Sequence, residues 1–180
     1  MSRILLCASA SAALYKACDL ASQLTQEGHE VPVLLTPSAA QLVSAQQFEA
    51  VTGQPARVTE FGDQRLGAMD HIDFATGLGA VVVAPCTAAL AGRIALGLAT
   101  DLVTTTLLAV PAGVPRLVCP AMNPHMLAQP AVARNLAQLV EDGWERMEPE
   151  AGHLACGEQG PGRLADPERI ARRVLEILSA

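Results

Sequence analysis

Ala80-Val81-Val82-Val83-Ala84 is apolar at every position and runs directly into Pro85, Cys86 and the hydroxyl of Thr87. A strand with one wet face alternates. A run that never alternates is buried on both faces, as in the centre of a parallel sheet covered by helices. Ile4 to Ala8 reads the same way, and Arg116 to Cys119 is a further short strand. Glu30 to Thr36 reads as a strand whose Pro32 suits an edge or a strand start, and Trp144 to Met147 as the last one.

Helical segments fall between these strands. Ala12 to Glu27 is amphipathic and stops at Gly28. Further helices are expected after Ser38, from Ser44 with Gln47 in capping-box spacing, over Thr87 to Leu98, over Asp101 to Val110, and over Pro130 to Glu141 before Gly143. Asp166-Pro167-Glu168 starts the last, with Asp as N-cap and Pro at the first helical position. The alternation predicts an α/β fold: a doubly wound, Rossmann-like parallel sheet with helices on both faces, in a single domain over residues 1–180.

Hydrophobic residues make up 51% of the chain and aromatic ones 3%, so alanine, leucine and valine fill the core, against an aromatic-rich β-sandwich. A net charge of −6 argues against nucleic acid as a partner. Cys7, Cys18, Cys86, Cys119 and Cys156 are scattered with no CxxC pair, so neither a metal site nor a disulfide framework is expected. Met1-Ser2-Arg3 leads straight into a strand, and no apolar run can span a bilayer, so the expectation is a cytoplasmic protein without a membrane partner.

In doubly wound sheets ligands bind beyond the C-terminal ends of the strands. The segments there are Ser9-Ala10-Ser11, Thr36-Pro37-Ser38, Pro85-Cys86-Thr87 and Pro120-Ala121-Met122-Asn123, all rich in small or hydroxyl residues. Ser9, Ser11, Ser38 and Thr87 are thereby candidates for contact with a phosphate or a ring edge; taken singly, each is equally an ordinary helix cap. Cys7 to Ala13 contains no glycine, which disfavours the pyrophosphate turn of a dinucleotide site and leaves room for a mononucleotide with one phosphate.

Two segments go beyond capping: Pro120-Ala121-Met122-Asn123-Pro124-His125-Met126 and Gly152-His153-Leu154-Ala155-Cys156-Gly157-Glu158-Gln159-Gly160-Pro161-Gly162-Arg163. In order and over nearly the whole chain, they resemble the P-x-M-N-x-x-M motif and the A-C-G-x-x-G-x-G-R flap of the homo-oligomeric flavin-containing cysteine decarboxylases. The branch that acts on phosphopantothenoylcysteine is the most similar. Met69-Asp70-His71-Ile72-Asp73 stands where that family has its histidine, and Asp101 to Thr106 resembles its flavin-contacting stretch, which adds Thr104 and Thr105 to the cofactor candidates. Departures are Cys7, Ala10 and Ser11 in the first loop, Ala89 and Leu90 in the P-x-S-A-N-T motif, and Leu127 for a tryptophan.

The resemblance implies a flavoprotein that binds FMN and removes CO₂ from a phosphorylated, cysteine-containing small molecule, 4'-phosphopantothenoylcysteine, in coenzyme A biosynthesis. The flavin oxidises the cysteine side chain to a thioaldehyde, which accepts the electrons left by CO₂, and the resulting enethiolate is then reduced. It further implies His71 as acid/base, Asn123 as the donor to the substrate carboxylate, Cys156 as the proton donor to the enethiolate, and Met122 and Arg163 as substrate contacts. Arg163 is read either as a phosphate ligand or as an anchor for the flap; Arg93 is a weaker candidate for substrate contact, and His125 and His153 are read as packing or solvent residues. A homotrimer or an assembly of trimers, with FMN at the subunit interface, is the implied partner state. A peptidyl-cysteine decarboxylase of ribosomal peptide maturation, a flavin prenyltransferase and a non-enzymatic FMN-binding regulatory subunit are the alternatives.

Overall fold

In the computed structural model, which describes residues 1–61, 67–153, 157 and 159–180, six strands form one parallel sheet. They are β1 (Ile4–Ala8), β2 (Val33–Leu35), β3 (Ala56–Arg57), β4 (Ala80–Cys86), β5 (Arg116–Pro120) and β6 (Glu145–Arg146), in the order β3-β2-β1-β4-β5-β6. The chain moves outward from β1 to β3, then returns to the other side of β1 at β4. The order therefore reverses between β1 and β4, whose register pairs Leu6 with Val82 and Cys7 with Val83. Every residue of β1 and β4 is buried, as their unbroken apolar sequences require.

Side-chain alternation along the strands divides the core in two. Ile4, Leu6 and Ala8 pack with Val33, Leu35 and Val82 against Leu20 and Leu24 of α1 (Tyr15–Gln26), Phe48 of α2 (Ala45–Thr52), and Ile170 and Val174 of α8 (Pro167–Ser179). Leu5, Cys7, Val81 and Val83 pack on the other face. Their partners are Phe74 of α3 (Asp70–Ala75), Leu90 of α4 (Ala88–Ala95), Leu107 of α5 (Leu102–Ala109), and Leu136 and Leu139 of α7 (Pro130–Glu141). Each fully buried Leu, Val or Phe contributes roughly 1.5–3 kcal/mol of transfer free energy. This is the doubly wound architecture expected from the strand sequences.

Several local expectations shift. The first helix begins at Tyr15, not Ala12, because Ser11 holds a turn: its carbonyl accepts from Leu14 N at 2.9 Å and its Oγ from Ala13 N at 3.3 Å. After Ser38 there is only a 3₁₀ turn, Ala39–Gln41, and Thr36 caps it instead, Oγ1 accepting from Ala39 N at 3.2 Å. Pro32 lies just outside β2, where its carbonyl accepts from Leu6 N at 3.0 Å. Asp166 stands at the N-cap of α8 without a capping bond, because its carboxylate accepts from Lys16 Nζ at 2.8 Å. Edge strand β3, helix α3 and an antiparallel hairpin of β7 (Glu150–His153) and β8 (Gln159–Arg163) had no counterpart in the sequence reading.

Candidate active site at the sheet's switch point

Ala10, Thr87 and Ala121 follow β1, β4 and β5 respectively, and all three line one cavity of about 440 Å³ at the C-terminal edge of the sheet. That volume lies in the usual range for small-molecule sites, and the crevice at an order reversal is where such sheets bind ligands. The wall after β1 consists of Ala10, Ser11, Ala12 and Ala13, continued by Tyr15 and Lys16 of α1. Short side chains here leave the backbone within reach of a ligand.

Ser9 joins the two central loops. Its buried Oγ donates to Pro85 O at 2.8 Å and accepts from Thr87 N at 2.9 Å, while its own N–H donates to Pro85 O at 3.1 Å. Its only proton is spent on this clamp, so Ser9 positions the loops and does not line the cavity. Thr87 does line it, with Oγ1 accepting from Leu90 N at 3.4 Å at the start of α4.

The wall after β5 carries Met122 and Asn123. Asn123 caps the one-turn helix α6 (Pro124–Leu127), its Oδ1 accepting from His125 N at 2.8 Å, and Pro124 at the first helical position fixes the turn. The β7–β8 hairpin packs against this wall, with Met122 N donating to Gly162 O at 3.0 Å. Gly162 has φ +128°, and a Cβ there would sit 2.1 Å from Met122 O, so only glycine permits the approach. The hairpin brings His153, Arg163 and Leu164 to the cavity.

Of the sequence candidates, the fold thus gathers Ser11, Thr87, Met122, Asn123 and Arg163 around one space. The others lie elsewhere. Ser38 sits at the short 3₁₀ turn. Thr104 closes a capping box with Asp101: its N–H and Oγ1 donate to the Asp101 carboxylate, and its Oγ1 accepts from the Asp101 backbone N–H. With Arg93, which pairs with Asp101 at 2.6 Å, Thr104 borders a separate cavity of about 220 Å³. Thr105 lines neither cavity. His71 is on α3, its Nδ1 against the Glu60 carboxylate, and it is not in the lining of the larger cavity. Cys156 lies outside the described residues.

Sequence reasoning missed Lys16 and His153 as lining residues. His153, read as a packing or solvent residue, is on β7 and reaches the cavity only through the hairpin's docking. Lys16 carried a usable signal, since it is the chain's sole lysine. The described lining residues hold Lys16, Arg163 and His153 and no carboxylate. Burial pushes the Cys86 thiol up to about 12 and raises those of Cys7 and Cys119 as well, so these cysteines stay protonated and inert. Among the described residues, no group of three or more His, Cys, Asp or Glu side chains could hold a metal ion.

A family model described as Flavoprotein matches residues 1–179. The chain is 44% identical over 169 residues to the coenzyme A biosynthesis bifunctional protein CoaBC of Bacillus subtilis, covering 94% of this chain and 41% of that protein. It therefore spans about two fifths of the length of that relative. It is 35% identical over 176 residues to a probable phosphopantothenoylcysteine decarboxylase of Streptococcus mutans, covering 98% of each. Among solved structures, a PPC decarboxylase mutant complexed with pantothenoylaminoethenethiol superposes with a TM-score of 0.85 at 28% identity over 99% of each chain. The FMN-dependent cysteine decarboxylase SpaF superposes with a TM-score of 0.83 at 29% identity, over 100% of this chain and 98% of its own.

Proposed function

The chain belongs to the Flavoprotein family, and on that premise we propose that it is an FMN-dependent carboxy-lyase that converts 4'-phosphopantothenoylcysteine to 4'-phosphopantetheine in coenzyme A biosynthesis. The observation that carries this reading is the single cavity at the switch point, where Ser11 and Thr87 meet Met122, Asn123 and Arg163. The residues present suit FMN: small side chains after β1, the Thr87 hydroxyl, the apolar surface of Met122 and Met126, and two cationic side chains for an anionic tail. When bound, FMN supplies reversible two-electron oxidation of the substrate's cysteine side chain, which gives the electrons of decarboxylation a C=S group to enter.

The protein's own groups do the positioning and proton transfer. Asn123 donates to the substrate carboxylate as a neutral amide; a charged partner would hold the carboxylate and oppose its departure as CO₂. The Asn123 cap bond and the docked hairpin hold that wall in place before substrate arrives. Cys156, in the connection between β7 and β8, protonates the enethiolate, and the hairpin excludes water over the site. His71 serves as acid/base across an interface between copies in a homotrimer or an assembly of trimers. Its place outside the single-chain cavity supports this, as do its exposed apolar neighbours Met69 and Ile72, surface suited to burial by a second copy. Among the described residues no helix is long and apolar enough to cross a membrane, and a cytoplasmic location fits a soluble phosphorylated substrate.

A peptidyl-cysteine substrate is the second reading, favoured by the apolar rim at Tyr15 and Met126, which are 61% and 46% exposed. The test is the visible spectrum of the purified protein, followed by CO₂ release on adding phosphopantothenoylcysteine. A yellow protein that forms phosphopantetheine meets the proposal. A yellow protein that turns over only a peptide ending in cysteine selects the second reading, and one without turnover selects a regulatory flavin binder. A colourless protein that FMN cannot reconstitute refutes all three.

A further inference from the structure

We propose that the smaller cavity, of about 220 Å³, is a binding site for a small carboxylate with a compact apolar body, held by the Arg116 guanidinium. The site is distinct from the one described above and independent of the reaction proposed for it. Thr87, at the start of α4, lines the main cavity, whereas Arg93 and Ile94, in the last turn of that helix, line this one. Likewise Arg116 begins β5, and Ala121, just past its end, belongs to the main cavity. The two cavities therefore lie at opposite ends of the same elements. Sites for drug-sized ligands usually measure about 300–1,000 Å³, and an apolar cavity of about 150 Å³ accepts benzene. The dimensions here thus suit a ligand of a few heavy atoms. Ile94, Leu98, Leu107, Leu108 and Trp144 give it apolar walls.

The surroundings of Arg116 point to an anion. Its Nη2 donates to Val110 O at 2.8 Å and to Pro111 O at 3.2 Å, and its Cζ lies 5.8 Å from the centroid of the Trp144 ring. Its Nε is buried and has no acceptor among the described residues. A buried donor without an acceptor is destabilising, and native structures satisfy nearly all of them. No ion pair among the described residues includes Arg116, so its charge meets only two neutral carbonyls and an indole face. Arg93, by contrast, spends its charge on Asp101, with Nη1 2.6 Å from Oδ2, and Thr104 spends its hydroxyl in the helix cap. The one carboxylate in the lining, Asp142, is exposed and accepts from Gln138 Nε2 at 2.9 Å, so water screens its repulsion of an incoming anion. A carboxylate oxygen presented to Nε makes a charge-assisted hydrogen bond, and the aliphatic walls take the ligand's apolar body out of water. A guanidinium, being weakly hydrated, suits such a half-enclosed place.

Trp144 is the chain's single tryptophan, and it lines this cavity and not the main one, so its fluorescence reports on this site. The experiment titrates the purified protein, with the flavin it retains, at neutral pH and constant ionic strength. The probes are isovalerate, isovaleramide, isopentylamine and inorganic phosphate. Isovalerate is expected to saturate the Trp144 signal at about millimolar concentration. Isovaleramide, of the same shape but neutral, should bind about tenfold or more weakly, the worth of a charge-assisted hydrogen bond. Phosphate, which has no apolar body, should give no saturation. Arg116→Gln should lower the affinity for isovalerate to that for the amide, whereas Asp142→Asn should keep it or tighten it. Should Arg116→Gln fail to fold, the Nε–H resonance of Arg116 in wild type takes its place, shifting with isovalerate and not with isovaleramide. The proposal is overturned if isovalerate gives no saturable response, if the amide or phosphate binds as well, or if Arg116→Gln keeps wild-type affinity. It is overturned equally if isopentylamine binds more tightly than isovalerate, which would make Asp142 the recognising group. A second copy of the chain seated over the exposed Leu98 and Leu108 would close the mouth and give the first of these results.

Discussion

Replacing Gly162 with alanine should undock the β7–β8 hairpin from the Asn123 wall while leaving the core folded. The added Cβ would lie 2.1 Å from Met122 O and 3.3 Å from Met122 C, both backbone atoms that cannot rotate away, at a φ of +128°. A side chain in that region costs roughly 1–3 kcal/mol in backbone strain. Moving the strand off the wall also forfeits the 3.0 Å bond from Met122 N to Gly162 O, a further 0.5–1.5 kcal/mol or about that. Together these amount to about 1.5–4.5 kcal/mol against docking, a shift of roughly tenfold or more in the docked population. The hairpin is a separate two-stranded sheet, and neither core cluster draws a residue from β7 or β8. The loss is therefore local, of the sub-global kind that hydrogen exchange resolves. The assay is amide exchange at Met122, compared with exchange in β1 and β4. Faster exchange at Met122 by that factor, with the central strands still protected, is the expected result. Gly143→Ala is the control for strain alone, since it has φ +88° with nothing within 4 Å of the added atom. Unchanged protection at Met122 in Gly162→Ala would refute the reasoning, as would the same change in Gly143→Ala.

Three further outcomes are expected. Asn123→Ala removes the acceptor for His125 N and should lose about 1 kcal/mol of stability; Asn123→Asp retains a cap but sets a negative charge against the substrate carboxylate, so thermal melting should return toward wild type while CO₂ release stays down by about 100-fold or more. Glu145 is held below its ordinary value of 4.5, first by its hydrogen bond from Arg173 and then by that residue's charge, with partial burial opposing. A folded-state pKa that is depressed contributes stability above the unfolded value and loses it as pH falls through the folded one. Glu145→Gln should therefore narrow the gap between denaturation midpoints at neutral pH and in the acid range below 4.5, and an unchanged gap would remove this pair from the acid response. Cys7, Cys86 and Cys119, fully buried and with raised thiol pKa values, should resist iodoacetamide in the native protein and react on unfolding; native-state labelling found at any of the three by mass spectrometry would contradict their burial.

The parts of the fold that were legible owe their form to local sequence. Ile4 to Ala8 and Ala80 to Ala84 are apolar throughout, short and followed by Ser or Pro, a pattern that suits strands covered on both faces. Ser44 and Thr87 cap α2 and α4 through bonds to Gln47 N and Leu90 N, three residues along the chain. The main motifs were visible because each occupies one contiguous stretch. Edge strand β3 was not, since two residues paired only with β2 carry no periodicity of their own. Nor was β8, whose Gln159-Gly160-Pro161-Gly162-Arg163 has little strand propensity and exists through pairing with β7 and docking on Met122.

What the sequence alone determined, then, was the layered α/β class, the strand ends that face a ligand, and the family signature carried by those ends. Which hydroxyls and charges remained for a ligand was decided only by the tertiary structure. Ser9 is consumed by Pro85 and Thr87, 76 and 78 residues away, whereas Thr104 is consumed by its helix cap and turned toward a different cavity. Lys16 is held at the rim by Asp166, 150 residues away, and Arg163 and His153 arrive on a hairpin whose seat is glycine against backbone. The physical reason is the range of the forces involved. Apolar periodicity and capping act within a turn or two of chain, but the partner of a polar group is whatever the packed sheet brings within about 3 Å of it.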